Sequence, residues 1–518
     1  MLLGSRRIKA VCSPGGRRSA AARRGCAPPA AATPQARIFP PADHKPSNPR
    51  WLTAVASADP DDLPDPPRPP ALDADAAGGA VEPGSAAAAE LFVLDPSWTY
   101  LNHGSYGAAL RAGLEAQEWH RQQLEAQPVL YIETSALAGV AKAVAQVARL
   151  VGASWRDVVP VVNATTGVNA AVASLPLRRG DLVLMTNATY PAVRSTLARA
   201  AARAGADLLE VLVPLGPELH DASAVEAAFA SALALARASG RRVALAVVDH
   251  VLSFPPVVMP LERLCALLRA EGVPVAVDGA HALGSLAPRL DVPSLGCDFY
   301  VANAHKWLCT PKGVAFLWAA PARQTALLPP VTSHGCGLGF RGEFLWQGTG
   351  DPTAWLAVPA CLEALERLGG AERLAARNHA LVWDAAELLR TSWGVEEPPL
   401  GAPPGGGACA GMAAVRLPSP LLLPGGAGAG DSAGDGDGAA RREVPATPEG
   451  AAALQAHLRA RHRIEVPLVA VQGALWCRVS AQAYNTLEQF ASLAGAVAAL
   501  RPGQGGAGGA GGEAAGGG

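Results

Sequence analysis

The sequence predicts an α/β fold built on a largely parallel β-sheet. Short apolar runs without polar alternation recur through the middle of the chain, at residues 158–162, 182–185, 208–213, 243–248, 275–277 and 299–302. Runs of this kind are typical of strands that are covered on both faces. Helical stretches, such as residues 192–204 and 261–271, separate these runs. The alternation is that of βα units in a parallel sheet.

The chain is long enough for one large enzyme or for two or three domains, since it has 518 residues, half of them hydrophobic. Further helices are expected at 108–126, at 136–150 and through 352–395, which leads into a small α+β domain ending near residue 500. We therefore predict a large domain at 91–350 and a small domain at 351–398 and 446–500. Pro, Asp, Gly and Ala dominate three stretches outside these domains. There we predict a disordered linker at 43–90, a low-complexity insertion at 399–445 and a disordered tail at 501–518.

The leader, residues 1–42, is rich in Arg, Ser and Ala and has no acidic residue. This composition is typical of an organelle transit peptide. We expect the chloroplast ahead of the mitochondrion, although composition does not separate them, and a cytoplasmic protein otherwise. Without the leader the chain is mildly acidic, which argues against nucleic-acid binding. No uncharged apolar run approaches the roughly 20 residues of a membrane span, so no membrane partner is expected.

The nine cysteines are scattered, odd in number and free of C-x-x-C pairs. This pattern favours reduced thiols in an intracellular protein and argues against a zinc site.

Polar side chains follow two of the predicted strands. Asp278 comes directly after residues 275–277, and Lys306 follows shortly after residues 299–302. Loops at the carboxyl ends of parallel strands form the binding site of open α/β sheets, so the two side chains would meet in one crevice. Enzymes that use pyridoxal 5'-phosphate (PLP) need this pair: the lysine bonds the cofactor aldehyde and the carboxylate keeps the ring nitrogen protonated. Singly, a strand-end Asp is usually a cap and a Lys is usually solvated.

A phosphate site is predicted at NATTG, residues 163–167, between a strand and an apolar helix. Backbone amides at a helix N-terminus bind phosphate, and the Thr165 and Thr166 hydroxyls would add donors. Gly167 would permit close approach. An ordinary helix cap is the alternative.

Three motifs together resemble the class V aminotransferases, a family of PLP enzymes. They are DGAHALGS (278–285), NAHKW (303–307) and PKG (311–313), and the resemblance extends over about 91–395 and 455–495. It implies the PLP-dependent transferase fold of fold type I. In that fold a large domain with a mainly parallel seven-stranded sheet carries a small C-terminal α+β domain.

The resemblance also implies roles for individual residues in the cofactor site. Tyr190 would stack on the pyridine ring, Ser253 would contact the phenolic oxygen, and His281 would support that oxygen or Asp278. Thr349 would reach the phosphate of a neighbouring subunit, which implies a homodimer with sites near the interface. Members often have Arg where this chain has Gly350.

Two residues are predicted to bind an amino-acid substrate. Arg478, in CRVSAQAYNT (477–486), has the planar guanidinium that holds an α-carboxylate through two parallel hydrogen bonds. His103, in LNHGSYG (101–107), lies in a segment that resembles an active-site loop of epimerase-like and C–S lyase members.

Several reactions are open to such a site. Residues 245–273 look closest to cysteine desulfhydrase-like and hercynylcysteine sulfoxide lyase-like members, which favours a C–S lyase acting by β-elimination. An isopenicillin N epimerase-like activity ranks second, because it needs a second base. Cysteine desulfurase or aminotransferase ranks third, since neither Cys336 nor Cys409 lies in a matching persulfide loop. A PLP-binding protein without catalysis is the non-enzymatic alternative.

Overall fold

The structure is a computed structural model that describes residues 48–69, 79–286, 290–401, 409–424 and 441–502. The predicted transit peptide at 1–42 and nearly all of the predicted tail lie outside these ranges, as do 402–408 and 425–440 of the predicted insertion.

A seven-stranded sheet forms the centre of the large domain, as predicted. Strands are numbered in chain order from β1 (Thr99–Tyr100), and the sheet comprises β2 (Val158–Val161), β3 (Leu182–Thr186), β4 (Asp207–Val211), β5 (Val243–Asp249), β6 (Val275–Asp278), β7 (Phe299–Asn303) and β8 (Ala315–Ala319). Their spatial order is β2-β8-β7-β6-β5-β3-β4. Only β8 runs antiparallel to its neighbours, so the sheet is mainly parallel.

Both faces of this sheet are buried. All seven residues of β5 are buried, and residues 245–248 alternate between two apolar clusters. Ala246 and Val248 belong to one cluster, whereas Leu245 and Val247 belong to the other. A period of two with apolar residues on both sides explains why the sequence shows continuous apolar runs.

Helices before, between and after these strands supply the covering layers. In chain order the α-helices are Arg50–Ser57, Ala86–Glu90, His103–Tyr106, Arg111–Ala126, Pro128–Tyr131, Leu137–Leu150, Ala164–Ala173, Pro191–Ala204, Ala222–Ala238, Leu261–Ala270, Ala304–Trp307, Gly339–Leu345, Thr353–Leu356, Val358–Arg367, Gly370–Trp393, Pro448–His462 and Leu487–Ala498. Short 3₁₀ or π segments are Pro60–Asp62, Ile132–Ala136, Trp155–Asp157, Pro217–His220, Pro293–Leu295 and Pro321–Ala326.

The small domain is an α+β unit with its own core. Its strands are β9 (Met412–Arg416), β10 (Leu422–Pro424), β11 (Arg441–Glu443), β12 (Ile464–Glu465), β13 (Leu468–Val471) and β14 (Ala474–Ser480). The main sheet has the order β13-β14-β9 and is antiparallel. The helix Gly370–Trp393 packs against it. The early strand β1 pairs with β12, so chain from before the large sheet joins the small domain.

Of the segment predicted as a disordered linker, 43–90, the described residues 48–69 and 79–90 instead contain packed helices, and 43–47 and 70–78 lie outside the described residues. In the helix Arg50–Ser57, Leu52 is fully buried against Leu137, and the Trp51 ring meets that of Trp346 edge-on at 5.3 Å. Apolar residues at positions 51, 52 and 55 form one face of this short helix, a signal that the Pro- and Asp-rich average of the segment concealed.

Two further expectations differ from the structure. The predicted insertion, 399–445, contributes β9 to the small-domain sheet, where Arg478 of β14 pairs with Ala414. The predicted helical stretch 352–395 is three helices, and the break between the second and the third lies at Gly369, whose φ of 92° is outside the helical range.

Candidate active site

A cavity of about 390 Å³ opens at the carboxyl ends of the central strands. The lining comes from the turns after β2, β3, β5, β6 and β7, as expected for an open α/β sheet. Its residues are Ser105, Tyr106, Val162, Asn163, Ala164, Thr165, Tyr190, Asp249, Val251, Ser253, Asp278, Ala280, His281, Asn303, His305, Lys306, Lys312 and Gly313. Six of the ten residues predicted from the sequence are among them.

Lys306 is a buried amine on the short helix that follows β7. Its Nζ lies 3.1 Å from Nε2 of His281. Burial, with a contribution from the positive charge of Arg478, lowers the pKa of Lys306 to about 7, and the opposing effect of Asp278 is smaller. A large neutral fraction at physiological pH makes this amine a nucleophile and a base.

Asp278 occupies the end of β6 and is 4% exposed. Its Oδ1 accepts a hydrogen bond from the Ala280 backbone N–H at 3.0 Å. Burial raises the pKa of Asp278, while the Ala280 bond and the Lys306 charge act in the opposite direction. A carboxyl held in this way can pair with a protonated ring nitrogen in the cavity.

The predicted phosphate turn begins the helix Ala164–Ala173. Asn163 caps this helix, because its Oδ1 accepts from the Thr166 backbone N–H and from the Thr166 hydroxyl, at 2.8 and 3.1 Å. Thr165 lines the cavity, whereas the Thr166 side chain is engaged by the cap. Gly167 permits close approach of its helix to β7, whereas the sequence predicted close approach of a phosphate. An added Cβ at Gly167 would clash with the Val301 side chain on β7.

Arg478 of the small domain lies directly behind the cavity lining, in contact with two residues that line the cavity. Its Nη1 donates to the Ser253 carbonyl and hydroxyl at 2.8 and 3.1 Å, and its Nη2 donates to Ser105 Oγ at 2.8 Å. Both serines line the cavity. Burial lowers the pKa of Arg478 to about 10. Among the described residues no carboxylate forms a salt bridge with this guanidinium, so its positive charge is available to an anion in the cavity.

Tyr190 lies at the rim, 41% exposed, directly before the helix Pro191–Ala204. Its ring is therefore accessible from the cavity, where the sequence predicts that it stacks on a bound ring.

His103 lies beneath Lys306 instead of in the cavity. Its ring is fully buried, with Nε2 2.9 Å from the Lys306 carbonyl oxygen and Nδ1 2.9 Å from the Tyr484 hydroxyl. Burial lowers the pKa of His103 to about 3. A neutral ring in this place supports the segment that carries the lysine.

Thr349 is exposed and lies outside the cavity lining of this chain. The prediction that it serves a neighbouring subunit concerns a second copy and stays a prediction.

Several residues of the cavity lining were not predicted as site residues from the sequence. His305 lies within the motif NAHKW, Lys312 lies within PKG, and Ser105 lies in the segment that was singled out for His103. Adjacency to Lys306 was a usable signal for His305. For Ser105, nothing in the sequence indicates a bond to Arg478, 373 residues away.

The residues present fit PLP. A cavity of this volume suits a small cofactor. It offers an amine for an aldehyde, the Asp278 carboxyl for a ring nitrogen and a helix N-terminus for a phosphate. His281 Nδ1 and Asp249 Oδ2 are buried without a hydrogen-bond partner. Such atoms at the wall of a cavity indicate that a bound group completes the site.

Comparison with known proteins identifies the class. The sequence pattern of the aminotransferase class-V family matches residues 114–397, more than half of the chain. The chain belongs to this family, in agreement with the resemblance predicted from its motifs.

Individual relatives are similar over most of the chain. An L-cysteine desulfhydrase of Arabidopsis thaliana is 30% identical, over 77% of this chain and 87% of that protein. An isopenicillin N epimerase of Streptomyces clavuligerus is 31% identical, over 79% and 96%. Among solved structures, the cystine C–S lyase C-DES with cysteine persulfide has a TM-score of 0.61 and 21% identity, and the match covers 79% of this chain and 99% of that chain. This last likeness supports the fold alone.

The described ranges contain no cluster of three or more His, Cys, Asp or Glu residues that could hold a metal ion. In the same ranges no helix is both long enough and apolar enough to span a membrane. Of the seven cysteines described, all are free thiols and only Cys336 is not buried.

Proposed function

We propose that the chain is a PLP-dependent C–S lyase that acts on cysteine or a cysteine conjugate. The observation that carries this proposal is the buried, low-pKa amine of Lys306 in a cavity shared with Asp278 and bordered by Arg478. The relatives named L-cysteine desulfhydrase support the choice of substrate.

Each part of the cofactor has a residue to hold it. Lys306 would bond the aldehyde, Asp278 would face the ring nitrogen, Tyr190 would cover the ring and Thr165 would border the phosphate. His281 would serve the phenolic oxygen, together with Ser253. When bound, PLP supplies an electron-accepting ring that stabilises negative charge at the substrate Cα.

Arg478 would orient the substrate by its α-carboxylate. Ser105 and Ser253 hold the guanidinium from two sides, so little side-chain freedom is lost when a carboxylate pairs with it. An α-carboxylate fixed at this wall directs the Cα–H bond in a single orientation relative to the amine of Lys306.

Once the substrate amine has taken its place at the cofactor aldehyde, the freed Lys306 amine would act as the base. This amine takes the Cα proton, and the electrons of that bond form the Cα–Cβ double bond as the C–S bond breaks. The sulfur leaves with its electron pair and is protonated. Hydrolysis of the remaining enamine gives pyruvate and ammonia, so cysteine and water become pyruvate, ammonia and sulfide.

Two observations separate this reaction from its alternatives. No cysteine is among the cavity-lining residues of the described chain, whereas persulfide formation needs a thiol nucleophile there. Epimerisation needs proton donation on both faces of Cα, and the other amine of the lining, Lys312, is engaged by the Gly107 carbonyl at 3.2 Å. The relative named isopenicillin N epimerase keeps epimerisation as the second candidate.

The experiment is incubation of the PLP-loaded protein with L-cysteine, or with a cysteine S-oxide conjugate, in deuterated water without added thiol or keto acid. We expect pyruvate and a sulfur product. Recovery of racemised amino acid deuterated at Cα, without pyruvate, would replace the lyase by an epimerase. Cofactor absorbance that no amino acid perturbs would support a non-catalytic PLP protein.

We also propose that the enzyme is a homodimer in which Thr349 of one subunit serves the site of the other. Thr349 is exposed, and so are the apolar side chains of Val129, Leu130, Leu328 and Val331, which a partner could cover. Sedimentation at low micromolar concentration tests the dimer, and a monomer with full activity would contradict it.

An organelle, with the chloroplast ahead of the mitochondrion, is the proposed location. The Arg-rich, acid-free leader at 1–42 supports it. Import of the radiolabelled chain into isolated chloroplasts and mitochondria, with loss of the leader, is the test.

A further inference from the structure

A second carboxyl lies beside Asp278. Asp249 ends β5, and the parallel register of β5 and β6 pairs Asp249 directly with Asp278. Both side chains are more than nine-tenths buried, at 3% and 4% exposure, and both line the cavity. The proposed function assigns a role to Asp278 alone.

Asp249 lacks the partners that an ionised carboxylate requires. Its Oδ2 is fully buried without a hydrogen-bond partner, and the salt bridges of the described residues do not include it. The support that it receives is from backbone N–H groups, that of Tyr190 among them. An unpaired buried carboxylate is costly, and a buried carboxyl avoids the cost by keeping its proton.

The groups around Asp249 make it the weaker acid of the pair. Burial and the charge of Asp278 raise the pKa of Asp249 well above its ordinary value. For Asp278, the Ala280 N–H and the Lys306 ammonium oppose the effect of burial. His250, next in the chain, bonds the Tyr300 hydroxyl through Nδ1 and is held neutral by burial, which lowers its pKa to about 4. His281, whose Nε2 faces Lys306, is neutral for the same reason, and the Arg478 charge acts on it in the same direction.

We propose that Asp249 is a neutral, proton-carrying carboxyl that leaves Asp278 as the single negative charge at the strand ends. Asp249 is thus a positioning residue, because it acts on the cofactor through Asp278. One carboxylate matches the one positive charge of a protonated ring nitrogen, whereas a second would be unpaired. The inference deepens the proposed function and rests on it for the cofactor, but the protonation state belongs to the apoprotein and is measured there.

The first test is infrared spectroscopy of the apoprotein near neutral pH, where exposed carboxyls are ionised. Spectra are compared in ordinary and in deuterated water. We expect a carbonyl band from a protonated carboxyl that shifts in deuterated water. The band is expected to disappear in Asp249→Asn and to persist in the control Asp384→Asn, which changes an exposed aspartate on the helix Gly370–Trp393. Wild-type protein without the band would overturn the proposal, whether or not the variant folds.

The second test is stability against pH. The folded chain keeps a proton that the unfolded chain releases near pH 3.8, so wild-type stability falls as pH rises from that value to the folded pKa. Asparagine has no titratable proton, so the Asp249→Asn variant lacks this pH-dependent contribution to stability. The melting temperature of Asp249→Asn should therefore rise relative to wild type between about pH 5 and about pH 8. Asp384→Asn, at an exposed aspartate, is the matched control for an Asp-to-Asn change.

A difference in melting temperature between Asp249→Asn and wild type that does not change with pH would overturn the proposal. Absorbance of PLP-loaded wild-type protein is recorded in parallel. Failure to bind PLP would refute the proposed function while leaving the protonation result intact.

Discussion

The end of the cavity that we propose to hold the cofactor ring (the ring end) and the end that we propose to hold the substrate carboxylate (the carboxylate end) are built differently. At the ring end, Asp278 and Lys306 are placed by the ends of β6 and β7, two strands paired in one sheet. At the carboxylate end, Arg478 of the small domain is held by Ser105 and Ser253 through side-chain and carbonyl contacts. The first end depends on backbone register, and the second depends on how distant segments meet.

This difference teaches where the site is rigid and where it can vary. Moving a strand-end residue would require a change in a sheet that is buried on both faces, so the ring end is fixed by the core. The side chains of Asn102, Ser105 and Ser253, which contact Arg478, can be altered one at a time. We therefore expect changes at the ring end to remove chemistry and changes at the carboxylate end to alter substrate binding.

Removal of the amine has the largest expected effect. Lys306→Ala should abolish the cofactor absorbance that borohydride fixes to the protein, and should lower turnover by about 1,000-fold or more. Lys142→Ala, which removes an amine paired with Asp65, is the control. A borohydride-fixed chromophore in Lys306→Ala would contradict the assignment of the lysine.

Loss of the Asp278 charge should have the second-largest effect. Asp278→Asn should retain PLP covalently but lower turnover about 100-fold, since a neutral amide stabilises a ring N–H⁺ poorly. Absorbance and single-turnover rates measure the two properties separately. Turnover near that of wild type would mean that Asp278 is only a strand cap.

At the carboxylate end, Arg478→Ala should raise KM for L-cysteine. The change removes a charge-assisted pair worth about 1.5–3 kcal/mol, which corresponds to a factor of about 10–150. Cysteamine lacks the carboxylate and is the matched probe: its binding, followed by cofactor absorbance, should change far less. Equal losses for both ligands would show that Arg478 supports the fold instead.

The lowered pKa of Lys306 predicts how the rate of PLP capture depends on pH. With a pKa of about 7, the neutral amine increases as pH rises and is nearly complete one unit above that value. The rate at which apoprotein captures PLP should therefore rise about tenfold per unit below pH 7 and level off above it. Stopped-flow absorbance measures this rate. A rise that continued toward pH 10 would indicate an ordinary, solvated lysine.

The smallest effect is expected for the leader. Deletion of residues 1–42 should leave turnover and the melting temperature unchanged, because a targeting address is removed from the mature protein. Paired assays of the full and shortened chains test this. Loss of solubility or turnover would show that the leader is part of the folded enzyme.

The sequence by itself determined the fold class and the ring end of the site. Uninterrupted apolar runs are the direct signature of strands buried on both faces, and Asp278 and Lys306 come at the ends of such runs. Local spacing is enough here because neighbouring parallel strands bring their carboxyl ends to one edge of the sheet.

Only the tertiary structure decided the rest. It placed His103 beneath Lys306, paired Asp249 with Asp278 and joined Ser105 to Arg478 across the two domains. It also showed the packed helix Arg50–Ser57 where composition predicted a linker. Each of these features is a contact between segments far apart in sequence. Composition and local periodicity carry no information on such contacts, because packing and burial arise only when the whole chain has folded.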